Sequence, residues 1–317
     1  MKVIQKNIRT VDYILLNLNS LKVDDTIAFD IYIKKSKDYV VIIEAGTTLS
    51  QELYDKLENQ ENLYIRNEDK KNLTLTYRSL NTYIKHNKDN LEKRIELIYK
   101  LNTTLFENYF KNEDNYMDME CMNSIIKSLM FLVKYDRQII KNTMPYFMDI
   151  HSLANHSLHV AIYALHIGNQ LRLSDKELLK LGKASLLQDI GLKMIDDSLI
   201  NKSTKLSEKE ILKFQNHVRY SVDIAKKNHI SDPYIINAIM HHHENQDGSG
   251  YPDKKRDENI GIFASILSIC DVFDALTSNR PYRKNYSSFD AIKMMLKDES
   301  MAHKFNHTYL KILLQSL

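Results

Sequence analysis

Ile260-Gly-Ile-Phe-Ala-Ser-Ile-Leu-Ser-Ile-Cys-Asp-Val-Phe-Asp-Ala-Leu-Thr277 reads as one long helix. Ile262, Phe263, Ile266, Leu267, Ile269, Cys270, Val272, Phe273 and Leu276 cover most of its circumference, so it should be buried nearly all round. Asp271 and Asp274 interrupt the apolar run, three residues apart and on neighbouring faces. A buried carboxylate is costly unless it is paired, hydrogen-bonded or bound to a metal. For Asp274 a cap or an ion pair with Arg280 or Arg283 is the plain alternative. For Asp271 a metal ligand is the better reading.

Working outward, the rest of the chain looks helical too. Only 7 glycines and 4 prolines occur among 317 residues, too few for the tight turns of an all-β sandwich or barrel. Neither GxGxxG nor GxxxxGK[ST] is present, which excludes nucleotide binding through those loops. Ser174-x-x-Glu177 and Ser207-x-x-Glu210 are capping boxes. Ser231-Asp232-Pro233 puts a cap candidate ahead of a proline suited to the first helical turn. Towards the N-terminus, Thr26 to Ile33 and Tyr39 to Ile43 read as a hairpin, followed by a helix near Ser50 to Asn59 and a short strand at Leu63 to Ile65. Ile84, Leu91, Ile95, Ile98 and Leu105 carry helical spacing. That helix either packs on its own domain or joins two copies of the chain. The expected organisation is mainly α: a small α+β module over 1–67, a helical connector over 68–144, and an all-α domain over 145–317.

The chemistry is concentrated late in the chain. Eleven of the 12 histidines follow residue 150, and all four prolines lie at or after Pro145. His241, His242 and His243 are consecutive, so their side chains point about 100° apart on a helix and at most two can address one site. They end an apolar face made by Ile235, Ile236, Ala238 and Ile239. His156 opens another such face with Val160, Ala164 and Ile167. Any one of these histidines is most simply a core or surface residue. Together with Asp189, His217 and Asp271 they make a nitrogen and oxygen donor set suited to one or two divalent transition ions, Fe, Mn or Zn, without thiolate.

The order of these residues resembles a known family. His156-Ser157-x-x-Val160, Asp189-Ile-Gly191, Asn201-Lys202, Lys205-Leu206 and His217 look like an HD-type phosphohydrolase. Two longer runs are more specific: His242-His-Glu-Asn-Gln-Asp-Gly-Ser-Gly-Tyr-Pro252 and Asp271-Val-Phe-Asp-Ala-Leu-Thr-Ser-Asn-Arg-Pro-Tyr-Arg283. Both are similar to the HD-GYP subgroup, over roughly residues 145 to 317. The resemblance implies a helical HD core and a metal-dependent phosphodiesterase that opens cyclic di-GMP to linear pGpG, or further to GMP. Carried over by position, it implies His156, residue 188, Asp189, His217, His242, His243 and Asp271 as metal ligands, with Asp189 and Asp271 central to catalysis. Tyr251, Pro252, Asp274, Arg280 and Arg283 would then contact the cyclic dinucleotide. Arginine suits the phosphates because it can bind them in bidentate fashion.

Three positions depart from the family pattern. Gln188 stands where the His of the HD pair is expected, Leu192 where a Lys is expected, and Ser152 where some members have a Glu. One ion would draw on Asp189, His217, His242 and His243, a complete set. The other would draw on His156, Gln188, Asp189 and Asp271, and an amide oxygen is a weaker donor than imidazole for these metals. The expected activity is therefore weakened. The alternative is a catalytically degenerate HD-GYP domain that serves as a cyclic di-GMP receptor or interaction module. A third reading is hydrolysis of a different phosphorylated substrate.

Formal charge is +3, from 44 basic against 41 acidic residues, which gives no general attraction for a nucleic acid polymer. No run is long and apolar enough to span a membrane, and the N-terminus lacks a hydrophobic signal core. With Cys121 and Cys270 as the only cysteines, a cytoplasmic location is expected. A homodimer and a diguanylate cyclase partner fit the same reading.

Overall fold

The computed structural model describes residues 13–16, 18, 21, 23–24, 27, 29–36, 38–60, 62–69, 91–111, 116–136, 138–143, 152–200, 202, 204–278 and 285–317. The chain forms two compact units, Met1–Asn87 and Lys88–Leu317.

The first unit is a four-stranded antiparallel sheet with one helix. Its strands are β1 (Tyr13–Leu16), β2 (Ile31–Lys35), β3 (Asp38–Ile43) and, after helix α1 (Gln51–Glu58), β4 (Leu63–Arg66), in the spatial order β1-β4-β2-β3. The hairpin read from the sequence is present as β2 and β3, with Lys35 opposite Asp38 and a register shift at Ile31/Tyr32. Ser50 caps α1 by accepting from the amide of Leu53. Alternation along the strands sends Leu16, Ile31, Ile43, Leu63 and Ile65 into one core with Leu49 and Leu57. The opposite pleat carries tyrosines: Tyr13 stacks on Tyr39 at 3.9 Å, and Tyr39 meets Tyr64 edge-on at 5.0 Å.

The second unit is all helical among the described residues. Its helices are α2 (Leu91–Lys111), α3 (Met119–Tyr135), α4 (Ile139–Thr143), α5 (Leu153–Gln170), α6 (Asp175–Leu187), α7 (Asp197–Ile200), α8 (Glu208–Gln215), α9 (His217–Lys227), α10 (Pro233–His241), α11 (Ile262–Thr277), α12 (Ser288–Lys297) and α13 (His307–Leu314). Both predicted capping boxes are formed, at Ser174 and Ser207, and Asp232 caps α10 ahead of Pro233. Helix α5 is the centre of the bundle. Its residues from His156 to Gly168 are buried, and it packs on α2, α3, α6, α11 and α13.

The division falls at Asn87, not at 67 and 144. Helices α2 and α3, expected as a connector, belong to the helical unit. Ile95, Ile98 and Leu105 are buried there. Asn102 donates 2.6 Å to the carbonyl of Ala154 at the start of α5, and the amide of Met117 donates 2.7 Å to Asn228 at the end of α9. A helix whose apolar stripe is used up in this way is structural core. Ile84 lies outside the described residues.

Candidate metal centre

Four separate stretches converge at one end of α5. His156 comes from its first turn, Asp189 from the end of α6, His217 from the first residue of α9, and His242 and His243 from the end of α10; Asp271 projects from the middle of α11. A close backbone contact sets this convergence. After Asp189 the chain makes a 3-10 turn, Ile190–Met194, that packs on α9. A Cβ on Gly191 would lie 2.2 Å from the carbonyl oxygen of His217 and 2.5 Å from the amide of Ser221. With glycine there, its amide instead donates 2.8 Å to Ser221 Oγ, and the Asp189 and His217 segments lock together.

Two donor groups result, sharing one carboxylate. Asp189, His217, His242 and His243 offer atoms within 4.8 Å of one another, and so do His156, Asp189 and Asp271. Asp189 Oδ1 lies 3.2 Å from His217 Nε2 and 3.3 Å from His242 Nε2, while its Oδ2 lies 3.3 Å from His156 Nε2. Asp271 also spans both groups, with Oδ1 3.1 Å from His156 Nε2 and Oδ2 3.7 Å from His243 Nδ1.

The outer nitrogens of these histidines are tied to the scaffold. His217 Nδ1 donates to the carbonyl of Phe214 and His242 Nδ1 to that of Ile239, each at 2.8 Å. His156 Nδ1 donates 2.7 Å to Asp274 Oδ2. All three rings therefore turn Nε2 inward. Asp189 Oδ1, His217 Nε2 and His242 Nε2 are buried and make no hydrogen bond among the described residues, although they lie so close together. Inward lone pairs without aligned donors are what a divalent ion's ligands require, so the donor set fits a metal.

The electrostatics are those of a cluster of opposed charges: burial works against the imidazolium forms, but Asp189 and Asp271 raise the pKa values of His156 and His217. Burial works against ionisation of Asp189, but His156, His217 and His242 outweigh it and hold the carboxyl well below its ordinary value. Asp271 is lowered in the same way, chiefly by His156. Burial, reinforced by the neighbouring His242, pushes His243 down to about 3. It presents a neutral ring, the form that ligates metals.

The remaining expected residues fall into distinct places. His241 faces away from the centre and bonds Asp253 at 2.9 Å, so two of the three consecutive histidines address the site. Tyr251 stacks on His243 at 4.7 Å, and burial next to Asp189 and Asp271 raises its phenol well above the ordinary value. Pro252 follows it, partly buried. The loop is held by Glu244, a buried residue whose role no local pattern signals. Its two carboxylate oxygens accept from the amides of Asp253 (2.6 Å) and Lys255 (3.0 Å). Gly250 permits the fold of this loop, since a Cβ there would lie 2.4 Å from the carbonyl oxygen of His243.

Asp274, expected among the substrate contacts, lies behind His156 instead. It is 2% exposed, and His156, His159 and Ser278 occupy its two oxygens. Its place three residues after Asp271 turns it to the neighbouring helix face, towards α5. His159 was missed, although it lies one helical turn beyond His156. Gln188 is fully buried, and neither its Oε1 nor its Nε2 has a hydrogen-bond partner among the described residues. Leu192 is partly buried, and Lys193 points to α2, with its ammonium 4.7 Å over the Tyr109 ring. Ser152 is the N-cap of α5, accepting from Asn155. Arg280 and Arg283 lie outside the described residues.

An HD domain family profile matches residues 121–305, more than half of the chain, and the chain belongs to that family. The HD-GYP character read from its motifs agrees with its relatives. A protein named cyclic di-GMP phosphodiesterase PA4108, from Pseudomonas aeruginosa, is 34% identical over 140 residues, covering 44% of this chain and 34% of its own length. The 3'3'-cGAMP-specific phosphodiesterase 3 of Vibrio cholerae is 38% identical over 132 residues, covering 41% of this chain and 28% of its own length. The chain thus spans about a third of the length of these curated relatives. Among solved structures, Bd1817, a HDG"Y"P protein from Bdellovibrio bacteriovorus, shares the fold with a TM-score of 0.62 at 18% identity, covering 96% of this chain and 99% of its own. No helix among the described residues is long and apolar enough to cross a membrane.

Proposed function

We propose that this protein is a metal-dependent phosphodiesterase that hydrolyses cyclic di-GMP to linear pGpG, GMP or both, at a rate reduced by Gln188 and Leu192. The observation that carries the reading is the pair of donor groups joined through Asp189. Bound there, divalent ions would supply positive charge against a phosphodiester and lower the pKa of water. His156, Asp189, Asp271 and the Gln188 amide would hold one ion, and Asp189, His217, His242 and His243 the other. Asp189 and Asp271 would be the indispensable carboxylates. Tyr251 and Pro252 form the rim on the His243 side, where a base or sugar of the dinucleotide would rest.

One observation favours a second reading, a receptor that binds cyclic di-GMP without cutting it: a neutral, buried amide at position 188 where the family has an imidazole. The relatives also make the hybrid dinucleotide 3'3'-cGAMP a substrate to compare. The test is anaerobic incubation of the purified chain with each cyclic dinucleotide and Mn²⁺ or Fe²⁺, followed by chromatography. Linear or mononucleotide products absent from an Asp189→Ala, Asp271→Ala control support the enzyme. Binding with no product at high protein concentration supports the receptor.

A further inference from the structure

We propose that the two halves of the centre hold ions of different kinds: a retained transition ion in the imidazole-rich half, and an exchangeable hard ion, Mn²⁺ or Mg²⁺, in the oxygen-rich half. Loading of the second half would then follow the free concentration of that hard ion. This deepens the preceding reading and rests on it only in taking the donor groups to bind metal.

The donor counts carry the inference. One group comprises three imidazoles and a single carboxylate oxygen, from His217, His242, His243 and Asp189. The other has one imidazole and two carboxylates, His156, Asp189 and Asp271. The residue expected to add a second imidazole there is Gln188, whose only donor is a neutral oxygen. Imidazole suits Fe and Zn, whereas carboxylate, carbonyl and water oxygens suit Mg and Mn. Such ions keep several waters and bind through one or two carboxylates, so they leave readily.

Two further observations point the same way. Gln188 is fully buried, and neither of its amide atoms has a hydrogen-bond partner among the described residues, a state that is costly unless something accepts or coordinates the group. In the first half His217 and His242 are buried and pinned by backbone carbonyls, which favours a single retained ion there.

The test uses the full chain and reads metal, not turnover. Protein purified without chelator is dialysed against metal-free buffer, its content measured by mass spectrometry, and Mn²⁺ then titrated with the free-ion paramagnetic resonance signal as readout. The expected result is one retained transition ion per chain and one additional, weaker Mn²⁺ site. Gln188→His should tighten that second site by about tenfold or more, and Asp271→Asn should abolish it while the retained ion stays. Two ions retained by the wild type, or none retained and two equal Mn²⁺ sites, would overturn the proposal whether or not the variants fold. So would a folded Gln188→His that shifts Mn²⁺ affinity by less than about tenfold. An absence of hydrolysis alongside the expected metal behaviour would count against the phosphodiesterase reading alone.

Discussion

The Nδ1 of His156 lies 2.7 Å from Oδ2 of Asp274, and the opposite oxygen of that carboxylate takes Nδ1 of His159 at 2.8 Å. One buried carboxylate therefore fixes two imidazoles on successive turns of the central helix α5. Burial alone would raise the Asp274 pKa, but the two histidines reverse the shift and keep it ionised. Because the carboxylate accepts, His156 Nδ1 donates, and Nε2 faces the oxygens of Asp189 and Asp271 at 3.3 and 3.1 Å, where all three could share an ion. Asp274 is a positioning residue for the site.

Asp274→Asn should accordingly weaken metal binding in the His156 half by about 10–100-fold while the fold persists. Metal titration together with far-UV circular dichroism checks this. Unchanged metal affinity in a folded variant would refute the positioning role.

Chemical type and order made the ligands of this centre legible in the sequence, but not the residues behind them. His156, Asp189, His217, His242, His243 and Asp271 were recognisable because their chemical types are unusual among apolar neighbours and occur in a distinctive order. The neighbours that orient them were harder to see. Asp274 looked like a substrate contact since spacing along a helix gives its face but not what that face meets. His159 looked like an ordinary helix residue, and Glu244 acts only through a loop fold that no local pattern announces. In the same way Tyr13–Leu16 was missed as a strand, a four-residue apolar run too short to show the alternation of a half-buried strand. Helices α2 and α3 read as a connector because an amphipathic pattern does not say which partner covers it.

Removal of the Glu244 carboxylate should loosen the Gly248–Pro252 loop. Glu244→Ala leaves the amides of Asp253 and Lys255 without their acceptor, at a cost of about 1–3 kcal/mol in chemical denaturation. Hydrogen exchange at those two amides should accelerate. Unaltered exchange would mean the loop is held by other contacts.

Gly191→Ala tests the close approach between the Asp189 turn and α9. The new methyl would meet backbone at 2.2 Å from the His217 carbonyl oxygen, an obstacle that no side-chain rotation relieves. A destabilisation of about 1–3 kcal/mol or more is expected, together with loss of bound metal. Gly46→Ala is a useful contrast: among the described residues nothing beyond its chain neighbours lies within 4 Å of its Cβ position, but φ is +91°, so its cost is backbone strain and metal binding stays intact.

Acid should release the N-terminus of α8 late. The Lys202 ammonium, 2.7 Å from Glu210, and the Ser207 amide together lower the Glu210 pKa from 4.5 to about 2. A folded-state value below the unfolded one means the stabilisation is fully present above pH 4.5 and is lost as pH falls towards 2. A carboxyl NMR titration of Glu210 should give a midpoint near 2, and Lys202→Ala should move it up. An ordinary midpoint in the wild type would show that the capping box is not formed in solution.

The most direct test of the central claim is product analysis with cyclic di-GMP, under anaerobic conditions with Mn²⁺ or Fe²⁺, for the wild type beside the Asp189→Ala, Asp271→Ala double variant. Linear pGpG or GMP formed by the wild type alone is the predicted result, and adding Gln188→His should raise the rate. Intact cyclic di-GMP after prolonged incubation with metal-loaded wild type would contradict the account.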